Sequence, residues 1–196
     1  MASELDAYRD HVRHAIAART GKPMMNGSLE HSAILLQESM RAAQHEMLIL
    51  SSRLDDACFG QRAVRHAAQV FLADPEKRMR ILVETALWDP QENFRWGQNP
   101  FVQDIAANVG LGQVEIASVK KDWIAGYRFN FFVVDRFGFR YQEDRDEPAA
   151  IAAFYPSDRE IGPKDTVMHL RGIFAQLWRH SNRVELEANL PVAANA

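Results

Sequence analysis

The stretch YRFNFFVVDRFGFRYQ, Tyr127 to Gln142, decides the fold. It holds two runs rich in aromatic and β-branched residues, Tyr127 to Val134 and Phe137 to Gln142, joined by Asp135-Arg136 as a tight hairpin. Strands paired through a turn run antiparallel. Upstream, EMLILS (Glu46 to Ser51) and RMRILV (Arg78 to Val83) read as short apolar strands on either side of a helix from Gln61 to Leu72. A further helix, capped by Ser28 and running to Gln44, precedes them, with Ala33, Ile34, Leu36, Met40 and Ala43 on its buried side. Downstream come a short helix from Phe101 to Val109, strands from Gln113 to Ala117 and Ala149 to Tyr155, and a closing helix from Lys164 to Ser181 that starts after Gly162-Pro163. Alternating strands and helices predict parallel strands covered on both faces, and the hairpin adds an antiparallel edge. The expected class is α/β, a mixed β-sheet sandwiched by helices.

At the amino end, Leu5, Tyr8, Val12, Ala15 and Ile16 repeat with helical spacing from Ser3 to Thr20, and Gly21 followed by Lys22-Pro23 stops that helix. Residues 1–27 therefore read as an extra amphipathic helical arm and linker, 28–183 as the α/β domain and 184–196 as a tail. The arm's apolar stripe has to bury on its own core, on a second protomer or on another protein.

With 196 residues, 47% hydrophobic and 25% charged, the chain is long enough for a core without staples. A net charge of -3 advertises no global field for nucleic acid. The 18 Arg against 5 Lys fit either phosphate recognition by the guanidinium fork or base composition of the genome. One cysteine, Cys58, excludes an internal disulfide and any multi-cysteine zinc site and fits a reducing compartment. The charged amino end is not a secretory signal, and no stretch is apolar enough for a membrane span. A cytoplasmic, non-membrane protein is expected.

Phosphate-binding loops, dinucleotide fingerprints, serine-hydrolase elbows and paired-histidine zinc motifs are all missing from the sequence. Seven histidines show no ligand spacing, so no metal site and no cofactor are read. Cys58 with His66 or His45 as base is a conceivable nucleophile; a buried apolar cysteine is the plainer reading.

The element order, together with GYRFNFFVVD from Gly126 to Asp135 and the ending IFAQLWRHS from Ile173, resembles the phospholipase D-like family, in its single-domain bacterial form. Members carry an HxKxxxxD motif on a strand entering a turn, and many bacterial members close on a helix with FxxLW. The resemblance covers roughly residues 28–183. At the motif spacing this chain has Arg128, Asn130 and Asp135, so the last position alone agrees, and YQEDRDE from Tyr141 stands where GSxN commonly follows. In the family's chemistry one His attacks phosphorus, a second His from a paired domain protonates the leaving group, and Lys neutralises the nonbridging oxygens. Arg128 offers no lone pair, and Asn130 keeps donors without the charge. The resemblance thus implies a catalytically inactive binding or regulatory module, a homodimer with an anion or a partner held at the degenerate motif. On the plainer reading Arg128 and Asn130 are edge-strand polar residues and Asp135 starts a turn.

Two other function classes compete. Lys120, Lys121 and Trp123 interleave charge with a stacking ring, as a non-hydrolysing nucleic-acid-binding protein requires, although such a loop is also ordinary surface. A divergent phosphodiesterase or nuclease would recruit His169 or another histidine from the closing helix. Trp88, Phe94 and Trp96, in an irregular connection spanning residues 84–100, either seal a sheet end or form a protein interface. The acidic run Glu143 to Glu147 reads as a solvated hairpin loop.

Overall fold

A computed structural model of the chain describes residues 3–84, 99–109, 112–119, 123, 126–160, 162 and 165–184. In chain order the elements are α1 (Glu4–Ala18), β1 (Met24–Asn26), α2 (Leu29–Ala42), β2 (Glu46–Ser51), α3 (Arg62–Leu72), β3 (Arg78–Glu84), α4 (Pro100–Val109), β4 (Val114–Val119), β5 (Asn130–Val134), β6 (Gly138–Gln142), β7 (Ala150–Phe154), α5 (Thr166–Arg179) and β8 (Ser181–Arg183). Helix starts follow local chemistry. Ser3 and Asp6 close a reciprocal capping box on α1, Ser28 Oγ accepts the His31 N–H at 3.1 Å, and Asp165 Oδ1 accepts the Met168 N–H at 3.0 Å. Asn99 Oδ1 accepts the N–H groups of Phe101 and Val102, both at 3.1 Å, in the first turn of α4.

The strands form one eight-stranded sheet in the order β1-β7-β6-β5-β2-β3-β4-β8. Only β2, β3 and β4 are mutually parallel; every other pairing is antiparallel. The expected mixed sheet is therefore present. Side chains alternate between two cores, as a period of two demands. Ile49, Ile81, Ile116 and Phe132 point to the side carrying residues of α1, α2, α3 and α4, while Leu48, Leu50, Leu82, Phe131 and Val133 point to the side covered by α5. The α5 stripe contributes Val167, Leu170, Phe174 and Leu177, all buried.

Four expectations need correction. The amino-terminal helix does not stand off as an arm: Val12 is fully buried in the core shared with α2, and Tyr8, Ala15 and Ile16 pack against it. Glu38 of α2, 5% exposed, fastens this contact by pairing with Arg9 at 3.4 Å and Arg13 at 3.1 Å. The segment from Gly21 to Ser28 is not a plain linker, because β1 inside it pairs with β7 and forms the sheet edge. The closing helix ends at Arg179, two residues before the expected Ser181, and Ser181, Asn182 and Arg183 pair antiparallel with β4 as β8. The hairpin also differs: its loop is Asp135 to Phe137, and Val134 faces Gly138 rather than Phe137.

Candidate binding site

The three motif positions go to three different tasks. Arg128 precedes β5 rather than lying on it. Its carbonyl accepts the Arg145 N–H at 2.8 Å, and its exposed guanidinium pairs with Asp146 at 3.0 Å and Asp144 at 3.6 Å. The acidic loop that looked merely solvated is thus the counterion of Arg128. Asn130 opens β5, and its Oδ1 accepts the Ser52 N–H at 2.8 Å, fixing the chain as it leaves β2. Asp135 sits at φ 46, a left-handed conformation that Asp tolerates better than most residues. Its carboxylate accepts the N–H groups of Gln44 (2.8 Å), His45 (2.9 Å) and Glu46 (2.7 Å), and so ties the α2–β2 connection to the hairpin. Arg128 and Asn130 do not share a strand face as expected, since the ladder begins at Asn130.

Asn130 does line a pocket, of about 80 Å³, where β2 ends beside β5 and β6. Its walls include Ser51, Ser52, Arg53, Asn130, Arg140, Gln142 and Arg145, with Leu36, Ile49, Cys58, Phe59 and Phe132 as the apolar part. Arg140 is the unusual member. Across the sheet the register aligns Met24, Ala152, Arg140, Phe132, Ile49, Ile81 and Ile116, a row apolar except for this arginine. Arg140 is 7% exposed, and burial holds its pKa below the ordinary arginine value. Its Nη1 donates to Gln142 Oε1 at 3.1 Å, and its Nη2 donates to Ser32 Oγ at 2.9 Å and Asn26 Oδ1 at 3.3 Å. Its Nε has no partner among the described residues. The two other arginines of the wall each hold an acid: Arg53 lies 3.6 Å from Asp55, and Arg145 pairs with Glu84.

None of the histidines considered as catalysts lines this pocket. His169 is exposed on α5, which covers the opposite face of the sheet, and His45 and His66 are exposed away from the pocket wall. Cys58 does reach the pocket, but burial pushes its thiol up to about 12, which keeps it protonated and unreactive at neutral pH. Trp123 is 40% exposed and stacks on His180 at 3.6 Å and 8°. Lys120, Lys121, Trp88, Phe94 and Trp96 lie outside the described residues. Among those described, no group of His, Cys, Asp and Glu is arranged to hold a metal ion, and no helix is long and apolar enough to cross a membrane.

With this geometry in hand, the class of fold follows: a mixed α/β sheet closed by α5 over one face and stacked with four helices on the other. No protein-family profile matches the chain, and no curated protein matches it by sequence. Three solved structures are similar in fold. TrmBL2, an archaeal chromatin protein whose structure shows a novel mode of DNA binding, superposes with a TM-score of 0.56 at 14% identity, over 83% of this chain and 53% of that one. Phosphatidylserine synthase from Haemophilus influenzae gives 0.54 at 11%, over 83% of this chain and 39% of the other. NucT from Helicobacter pylori gives 0.51 at 8%, over 83% and 99% respectively. The chain thus spans about half of TrmBL2 and less of the synthase.

Sequence reading missed Arg140, Gln142, Arg145, Arg53 and Ser52. The signal was a charged residue alternating with aromatic ones in GFRYQ, Gly138 to Gln142.

Proposed function

We propose that this chain is a phospholipase D-like module that binds its ligand without hydrolysing it. The observation that carries this reading is that each motif side chain is already engaged by the chain's own groups. Arg128 faces its own acidic loop, Asn130 anchors Ser52, and Asp135 caps three backbone amides. Phosphoryl transfer of the family's kind needs a nitrogen lone pair aimed at phosphorus, and a guanidinium has none to give. The described wall of the neighbouring pocket offers arginines, amides and hydroxyls that bind oxyanions, while its one carboxylate, Asp55, is paired with Arg53 and its thiol, Cys58, is held protonated.

The test is to incubate the purified protein with labelled single- and double-stranded DNA and RNA, and with a chromogenic phosphodiester, while following binding by anisotropy at two salt concentrations. Intact strands and unhydrolysed diester are expected throughout. Turnover that survives purification and disappears in Asn130→Ala or His169→Ala would overturn the reading.

The likeness to TrmBL2 and the half-exposed Trp123 ring favour a second reading, in which the ligand is nucleic acid. Its mark is binding that falls steeply with salt and weakens in Trp123→Ala and in the double variant Lys120→Ala, Lys121→Ala. A homodimer across the motif strands belongs to the leading reading. Asp144 and Asp146 beside Arg128 remove the like-charge cost of bringing two such arginines together. Light scattering over a wide concentration range would retire the dimer if only monomer is seen.

A further inference from the structure

The interior of this protein carries a positive charge that nothing described beside it balances. Arg140 has no carboxylate within 4.0 Å among the described residues, whereas Arg53 and Arg145 in the same wall are each paired. The titratable groups that face Arg140 are the Cys58 thiol and the Tyr8 hydroxyl. Burial raises the pKa of both, so both are neutral at pH 7. An arginine presents five N–H donors, and here three are spent: one on Gln142, one on Ser32 and one on Asn26. Nε is buried and has no partner among the described residues. Arg140 lines the pocket together with Ser32 and Gln142, which grip its guanidinium from either side.

We propose that the Arg140 pocket is a receptor for one small oxyanion group, a carboxylate or a phosphoryl group at the end of a small molecule. The cavity of about 80 Å³ is several times the roughly 10–15 Å³ that one water needs, room enough for such a group. A single negative charge neutralises Arg140, and an oxyanion lone pair takes up the second Nη1–H. The apolar wall of Leu36, Ile49 and Phe132 excludes bulk water and strengthens the attraction. Specificity for the rest of the molecule falls to the open side, where Asn130, Arg53 and Arg145 stand.

The inference rests on the motif end of the sheet being a binding site, not on the absence of hydrolysis, and the experiment separates the two. The arginine Nε–H resonances of the full-length, nitrogen-15-labelled protein are followed by NMR during titration with sodium acetate, sodium phosphate and, as control, sodium chloride at constant ionic strength. The Arg140 signal is assigned through bonds in the wild-type protein, so the outcome does not depend on a variant folding. A saturable shift of that one signal with acetate, with phosphate or with both, and none with chloride, is the expected result; whichever oxyanion acts tells a carboxylate source from a phosphoryl source. Arg140→Lys should weaken the same ligand at least tenfold, as loss of a charge-assisted bond implies. A signal unmoved by both oxyanions up to several tens of millimolar, or moved equally by chloride, overturns the proposal. Turnover in the phosphodiester assay with a shifting Arg140 signal would sink the non-hydrolysing reading alone, and intact diesters with a fixed signal would sink this one alone.

Discussion

Removal of the Asp135 carboxylate tests whether the one motif position that agrees with the phospholipase D-like pattern is structural. The carboxylate accepts three backbone N–H groups at 2.7 to 2.9 Å, from Gln44, His45 and Glu46. Hydrogen bonds to a charged acceptor contribute about 1.5–3 kcal/mol net, less where water can replace the acceptor. Gln44 and His45 are exposed, so their donors turn to solvent in Asp135→Ala; Glu46 is half-buried, so most of the loss falls on its N–H. Alanine at φ 46 adds roughly 1–2 kcal/mol of left-handed strain. The expected cost of Asp135→Ala is about 3–5 kcal/mol. Asp135→Asn keeps Oδ1, which serves His45 and Glu46, and keeps tolerance of the backbone angle, so its cost should be about 1–2 kcal/mol. Urea unfolding with unchanged slope reads both values. Asp135→Asn should also leave the oxyanion response of the Arg140 signal intact. An Asp135→Ala variant that loses less than about 1 kcal/mol, or an Asn variant as damaged as Ala, would refute the argument.

Glu38 is the buried acid that receives Arg9, Arg13 and Arg41, and Glu38→Ala should lose about 2–3 kcal/mol and loosen α1, seen as faster amide exchange over residues 4–18. For Cys58 the folded pKa of about 12 lies above its ordinary value of 9.0, so the unfolded state holds fewer protons between those limits and stability should fall as pH rises from about 9 to 12. The same shift cuts the thiolate fraction at pH 8 about a thousandfold, so iodoacetamide should label the folded protein far more slowly than the urea-unfolded one. A Cβ added at Gly138 would lie 2.5 Å from the Phe154 ring, and Gly138→Ala should cost about 1–3 kcal/mol in a melting or urea experiment.

The helices and the longer strands were legible because their periodicity spans enough residues to exclude the alternative. EMLILS and RMRILV fell where they were read, and Ser3, Ser28 and Asp165 cap helices whose stripes were visible. The strands MMN and SNR were not legible, since three residues cannot display a period of two and their pairing is set by β7 and β4 from afar. The pocket was hidden by a smaller margin. A two-residue turn at Asp135-Arg136 would place Arg140 opposite Phe131, on the α5 face; the actual three-residue loop moves the register by one and places it opposite Phe132. One residue of slip exchanges every side chain between faces. Turn type, which depends on Asp135 reaching across to the α2–β2 connection, therefore decides whether Arg140 meets Asn26 and Ser32 or the opposite core.

That placement sets stability against function at Arg140. A buried arginine that completes a salt bridge is strongly destabilising to truncate, by about 3–5 kcal/mol, because its acid is left behind. Arg140 leaves no acid behind among the described residues, and the single Ser32 Oγ proton still reaches either Asn26 Oδ1 at 3.0 Å or Ser28 O at 2.9 Å. Gln142 retains its donation to the carbonyls of Asp144 and Glu147. Arg140→Met, which fills similar volume without the charge, should therefore sit within about 1 kcal/mol of the wild type, or above it, when measured without oxyanions. Added acetate or phosphate should raise the wild-type melting temperature and leave the variant unchanged. A loss of 3 kcal/mol or more, roughly the size expected for a broken buried pair, would mean that the arginine is retained for the fold. A neutral or stabilising substitution that abolishes the oxyanion response means that a folding cost is maintained for a ligand.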